Sequence, residues 1–241
     1  MRRLQGGGDW WPSDDLKGRG DEVGASARSS GMSAVEIFPG AFYTPSFLSH
    51  NEQRLFAFEI LALAGGSVGF YRPKVRGGGF MHCDMLCLGR HWNAMTYKYE
   101  RKRSDRDGLT VPPVPVLFRE AAVRAAAHVG FTIEPDVCLI NRYGTGGKMG
   151  LHQDKDEDQK VLDMGVPIVS LSIGATARFV IGGMKRRDRT IAIQLRSGDA
   201  FVMGGMSRLR YHGVTRILDG TAPKGLGVSG RFNLTIRQYK P

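Results

Sequence analysis

From Glu134 onward the chain reads as short apolar segments separated by turn residues, and no other feature constrains the fold as much. Val137 to Tyr143 is a strand-like run, and Val169-Ser170-Leu171-Ser172-Ile173 alternates apolar with polar residues. Ile191, Ile193 and Leu195 alternate likewise. Gly198-Asp199 turns the chain into Ala200-Phe201-Val202-Met203, and Phe232, Leu234 and Ile236 alternate with Asn233 and Thr235. Short strands with regular turns suit a sandwich or barrel, such as a jelly roll. The expectation is a mixed α/β, β-rich fold in which residues 135–241 form a jelly-roll (double-stranded β-helix) core.

The first half has a different texture. Ser49 stands three residues before Glu52, and the apolar positions Leu55, Phe58, Ile60, Leu61 and Leu63 follow. Ser-x-x-Glu ahead of such a run starts a helix, and Gly65-Gly66 ends it. A second, Ala-rich helix is expected over about residues 116–129, closed by Gly130. Residues 33–134 are therefore expected to hold N-terminal helices before the β core. Residues 1–32 carry Gly6-Gly7-Gly8, many Ser and Gly, and charges of both signs, with Trp10-Trp11 as their apolar cluster. A disordered tail is expected there, with Met32 as an alternative start of translation. Asp14, Asp15, Asp21 and Glu22 argue against a transit peptide.

The formal charge of +11 favours polyanionic partners. No apolar run is long enough to span a membrane. Cys83, Cys87 and Cys138 supply neither a disulfide framework nor a second pair to complete a zinc site. They read as reduced thiols in a reducing compartment, the cytoplasm.

Two segments fit His-x-Asp: His152-Gln153-Asp154 and His82-Cys83-Asp84. On an extended segment, His and Asp two apart point to one side and can share a metal ion. Two His and one carboxylate on one face of iron leave the other positions open for cosubstrate and oxygen. Context favours His152, because Leu151–Glu157 is polar and adjoins the Gly-rich turn 144–150. His212 follows sixty residues later, after about four short strands, which is enough for the chain to return beside its start. His82-Cys83-Asp84 has no such context and is read as structural.

The last strand adds a second demand. Arg231, Asn233, Thr235 and Arg237 share one face by the period of two, and Phe232, Leu234 and Ile236 take the other. Two arginines on a face turned into a barrel are costly unless anions pair with them. Their Cα atoms lie about 20 Å apart on an extended strand. Two long side chains leaning together leave a gap for a small diacid, and guanidinium forks match carboxylates in bidentate fashion.

Several stretches together closely resemble the AlkB family of dioxygenases acting on alkylated bases. They are Leu139-Ile140-Asn141-Arg142-Tyr143, Leu151–Glu157, Gly182-Gly183-Met184-Lys185-Arg186, Ser207-Arg208-Leu209 with Tyr211-His212-Gly213, and Arg231–Gln238. The resemblance covers about 135–239 well and about 70–134 loosely. It implies iron(II) held by His152, Asp154 and His212, with 2-oxoglutarate as cosubstrate and O2 as oxidant. It implies that Arg231 pairs with the distal carboxylate of 2-oxoglutarate, helped by Asn141 and Tyr143, that Asn233 belongs to the same site, and that Arg237 lies at the metal-bound end. Asp156 and Arg186 would face the damaged base or its strand. The implied reaction is oxidative dealkylation of bases in DNA, with single strands preferred, or in RNA; a monomer is expected.

The front half departs from the family pattern. An aromatic residue is expected soon after a Leu-Gly pair, to stack on the flipped base. Here Leu88-Gly89 is followed by Arg90, with Trp92 two further on and Tyr97 later. Trp92 is expected to stack, with the Arg90 guanidinium plane as the alternative. The resemblance places a nucleotide-recognition lid within residues 33–134, where Arg72, Lys74, Arg76, Lys98, Arg101, Lys102 and Arg103 would grip phosphates. Tyr71, Trp92, Tyr97 and Tyr99 interleave with these cations. Three other readings stand beside it: the same enzyme class acting on RNA or a protein side chain, a binding module with a vestigial site, and a cupin-type metalloprotein. The intact His152, Asp154, His212, Arg231 and Arg237 argue against the last two.

Overall fold

A computed structural model describes residues 33–241; the tail expected over 1–32 lies outside the described residues. The elements follow in order: β1 (Val35–Phe38), β2 (Ala41–Thr44), α1 (His50–Ala64), β3 (Asp84–Leu88), β4 (His91–Asn93), β5 (Lys98–Glu100), α2 (Val116–His128), β6 (Val137–Tyr143), β7 (Met149–His152), α3 (Gln159–Asp163), β8 (Ile168–Gly174), β9 (Thr176–Ile181), β10 (Ile191–Leu195), β11 (Ala200–Met203), β12 (His212–Leu218) and β13 (Arg231–Arg237).

Two antiparallel sheets make the jelly roll. The larger has seven strands in the order β1-β2-β11-β8-β13-β6-β3, and the smaller has four in the order β10-β9-β12-β7. β4 and β5 form a separate hairpin. The face of the large sheet that carries Val169, Leu171, Val202, Leu234 and Ile236 packs under α1 and α2, against Phe56 and Phe118. The opposite face, with Tyr143, Phe201 and Met203, packs on Phe179, Ile181 and Val214 of the small sheet. β13 thus turns Phe232, Leu234 and Ile236 to the helices and its arginines into the space between the sheets.

Both expected helices form. The Ser49 side chain accepts from the Glu52 backbone N–H, and the Glu52 carboxylate accepts from the Ser49 N–H at 2.8 Å, which completes the capping box. Gly130, with φ +81°, follows α2 in a conformation that favours glycine. The boundary expected at 134/135 does not separate two bodies. β2 and β3 precede it, yet they hydrogen-bond with β11 and β6 in the large sheet, and β1 pairs on β2. Residues 33–241 belong to one compact unit. No helix among the described residues is long and apolar enough to cross a membrane.

All three cysteines are free and buried. Burial pushes the Cys83 thiol up to about 12 and raises Cys87 and Cys138 as well. Native protein at pH 8 is therefore expected to leave a thiol reagent unreacted, and all three thiols should react in denaturant. Rapid labelling of the native protein would contradict this packing.

Candidate metal and cosubstrate centre

β7 and β12 are neighbours in the small sheet, and their register sets His152 opposite His212. Four strands, β8 to β11, separate the two in sequence, which is how the chain returns to its start. The imidazole centroids lie 4.5 Å apart. Asp154 follows β7 and completes a cluster whose ligand atoms all lie within 4.8 Å of one another. His152 Nε2 is 3.7 Å from Asp154 Oδ1, and His212 Nε2 is 3.5 Å from Oδ2.

The protein also fixes which ring nitrogen faces the cluster. His152 Nδ1 lies 2.9 Å from the Gly150 carbonyl oxygen, and His212 Nδ1 lies 3.0 Å from that of Arg210. A carbonyl can only accept, so each Nδ1 carries a proton, and each Nε2 is the ring nitrogen left to face the cluster. Burial, then the neighbouring His212, pushes His152 down to about 4, which keeps that imidazole neutral near pH 7. Burial alone would raise Asp154, but Arg237, His212 and His152 outweigh it and hold the carboxyl well below the usual range. Two imidazoles and one carboxylate are the donor set of a non-haem iron(II) site, so these residues fit the metal.

The other end of the cavity is set by Arg231. Its guanidinium is fully buried and reaches Ser172 Oγ at 2.8 Å, the Leu195 carbonyl at 3.0 Å and Asn233 Oδ1 at 3.2 Å. Among the described residues no carboxylate lies within ion-pair distance, and Arg231 Nε has no hydrogen-bond partner. Burial pushes its pKa down to about 10, still far above neutral pH. A buried cation with no counter-ion, beside Asn141 and Tyr143 on the same cavity wall, fits the carboxylate of a small diacid. Arg237 is already committed, at 2.7 Å to Glu157 and 3.3 Å to Asp154. The pair of arginines is therefore not symmetric. Arg231 is left for an anion, whereas Arg237 sits beside the metal triad.

The cavity of about 590 Å³ reaches from Arg231 past the triad to Trp92, Tyr97, Asp156 and Arg186. Its apolar wall includes Met85, Leu139, Phe179 and Phe201. Trp92 is half-buried at its rim, and its indole N–H donates to Asp156 Oδ2 at 2.8 Å. Burial raises Asp156 against that donated bond. Tyr97, with φ +57° in the β4–β5 turn, stands edge-on to Trp92 at 6.0 Å. Arg90 lies instead over the Tyr239 ring, 4.4 Å from its centroid, and is absent from the cavity wall. Arg186 donates to the Leu151 carbonyl at 2.6 Å.

The expected lid contacts fail at Arg103, Tyr71 and Tyr99. Arg103 does not reach out to phosphate: it is buried, paired with Asp107, and held over the Tyr71 ring. Tyr71 is itself core, as is most of Tyr99. Asp84 of the second His-x-Asp segment pairs with Arg72 and Arg142, and no metal cluster forms there among the described residues. Reading the sequence for roles missed Glu157 and Arg208, whose buried charges meet beside Asp154. Both stood inside the resembling stretches, but the irregular backbone around them offers no periodicity from which to infer direction.

The profile of the 2OG-Fe(II) oxygenase superfamily matches residues 40–237. The alpha-ketoglutarate-dependent dioxygenase AlkB homolog of Caulobacter vibrioides is 48% identical over 209 residues, covering 86% of this chain and 90% of that protein. The chain belongs to the AlkB family. Another member, the DNA N(6)-methyladenine demethylase ALKBH1C of Arabidopsis thaliana, is 36% identical over 232 residues, 88% of this chain and 51% of that protein. The chain spans about half the length of the three Arabidopsis relatives it matches. The solved structure of OsALKBH1 superposes with a TM-score of 0.80 at 36% identity, covering 86% of this chain and all of that one. The AlkB-family fold thus accounts for both sheets and for the cavity between them.

Proposed function

We propose that this AlkB-family chain is an iron(II)- and 2-oxoglutarate-dependent dioxygenase that removes N-alkyl groups from bases in nucleic acid, DNA first. The observation that carries the reading is the conjunction, in one cavity, of the His152-Asp154-His212 donor set with the uncompensated buried Arg231. Relatives named as AlkB dioxygenases and as DNA demethylases support it.

His152, Asp154 and His212 would hold iron(II), and Arg231, with Asn141, Tyr143 and Asn233, would hold the distal carboxylate of 2-oxoglutarate. Iron, 2-oxoglutarate and O2 together supply oxidation of the N-alkyl carbon, which leaves as aldehyde while the cosubstrate becomes succinate and CO2. The chain's own part is positional. Met85, Leu139, Phe179 and Phe201 keep the cavity wall apolar, while Trp92 and Tyr97 offer aromatic faces at its rim. A base must leave its stack to reach the triad, which costs least in a single strand. Lys74, Arg76, Lys98, Arg101 and Lys102 are exposed in the lid segments and suit phosphates better than a protein substrate. A monomer in the reducing cytoplasm agrees with the three free, buried thiols.

The test is product analysis with iron(II), 2-oxoglutarate and single-stranded DNA and RNA oligonucleotides carrying N-methyl lesions. The expected result is loss of the methyl mass from DNA. Unchanged oligonucleotides throughout the panel would overturn the reading.

Within this reading Trp92 stacks on the flipped base. Trp92→Ala should weaken oligonucleotide binding by about 1–3 kcal/mol, the value of one base–aromatic stack. It should cost less stability than the about 3–5 kcal/mol of a core aromatic, because the ring is only half-buried. Paired binding and thermal-melt measurements decide it. A collapse in stability, or a binding loss confined to Arg90→Ala, would remove Trp92 from the role.

A further inference from the structure

We propose that Arg208 is a positioning residue for the metal triad, tying the Asp154 segment to the strand that bears His212. The inference rests on the reading of His152, Asp154 and His212 as metal ligands.

Arg208 stands four residues before His212, is 2% exposed, and sends its guanidinium in three directions. Nε donates to the Val166 carbonyl at 2.9 Å, and one terminal nitrogen donates to the Asp154 carbonyl at 2.5 Å. The other pairs with Glu157 Oε2 at 2.9 Å. Glu157 in turn accepts from Arg237 at 2.7 Å, and Arg237 reaches back to Asp154 at 3.3 Å. The loop carrying Asp154 is thus held at its backbone by Arg208 and at its carboxylate by Arg237, with Glu157 joining the two cations. Gln153 adds a tie between the same segments by donating to the Leu209 carbonyl at 2.6 Å.

The platform for Arg208 is itself anchored. Ser207 Oγ donates to the Pro39 carbonyl at 2.8 Å and accepts from Arg210 Nε at 2.8 Å. His212 and Asp154 belong to segments far apart in sequence, and Asp154 lies beyond the end of β7. The sheet register fixes His152 against His212 but gives Asp154 no ladder partner. Arg208 supplies that missing constraint. Groups that orient metal ligands in this way typically contribute 10–100-fold to metal affinity.

Charge and geometry predict opposite effects, which makes the proposal testable. Asp154, Glu157, Arg208 and Arg237 balance two carboxylates against two guanidiniums. Arg208→Met removes a cation, so on charge alone a dication should bind more tightly. If Arg208 positions Asp154, the same variant should bind more weakly. The experiment is calorimetric titration of the full chain with Mn(II), at one pH, with circular dichroism and melting curves for each variant. Mn(II) binding by Arg208→Met is expected to weaken about 10–100-fold. The double variant Arg208→Met/Glu157→Gln, which restores the charge balance and leaves no new unpaired charge, should remain weak and covers the case in which the single variant does not fold. Affinity equal to or tighter than wild type in either folded variant, with only the melting temperature changed, would make Arg208 merely structural. Wild-type protein that fails to bind Mn(II), or Asp154→Ala that binds as well as wild type, would instead sink the metal reading and the inference with it.

Discussion

Asp154→Ala is expected to abolish succinate formation, lowering turnover by about a thousandfold or more, equivalent to about 4 kcal/mol of barrier. The carboxylate is the one anionic member of the donor set, and it sits between the two imidazoles at 3.7 and 3.5 Å. Without it, two imidazole nitrogens would have to retain a dication beside the Arg237 guanidinium. The fold should survive, because Arg237 keeps its 2.7 Å bond to Glu157 and is not left as an unpaired buried charge. His152→Ala and His212→Ala should be similarly inactive. Circular dichroism and succinate assays on iron-loaded protein separate the two effects. Full succinate production by any of the three purified variants would remove that residue from the site.

Arg231→Ala acts at the other end of the cavity. Losing the partner of a buried carboxylate should cost about 3–5 kcal/mol, or roughly a hundredfold to several thousandfold in 2-oxoglutarate affinity. A second readout follows from linkage. A ligand at a hundred times its dissociation constant stabilises the folded state by about 2.7 kcal/mol. Saturating 2-oxoglutarate should therefore raise the melting temperature of the wild-type protein and leave that of Arg231→Ala unmoved at the same concentration. The variant without ligand should still fold, since Arg231 has no ion pair to lose among the described residues. An unchanged cosubstrate affinity would move the carboxylate site elsewhere.

The parts legible in the sequence were those whose periodicity is strict. The alternation of β13 told which face carries Arg231 and Arg237 before any neighbour was known, and the Ser49/Glu52 spacing located the start of α1. The first-half strands were missed for physical reasons. β1 and β2 are only four residues each, and β3 is a nearly continuous apolar run because both its faces are covered. β7 is equally short, and α3 has only five residues. β12 is interrupted by irregular register, which hides its alternation. At the site, the three ligands and Arg231 were readable as a pattern of residue types, whereas the division of labour between the arginines was not. It depends on Glu157 occupying Arg237 from a loop with no repeat. Arg103 shows the converse: a charge that looked suited to phosphate is spent on Asp107 and the Tyr71 ring.

The central claim is that this cavity couples decarboxylation of 2-oxoglutarate to removal of an alkyl group from a base. Its most direct test is stoichiometry in one reaction: succinate, formaldehyde and unmethylated base measured together from a single-stranded N-methylated DNA oligonucleotide. The account predicts one aldehyde per base restored and matching succinate, with all three absent in Asp154→Ala. Succinate released at full rate while the methylated base persists would contradict it.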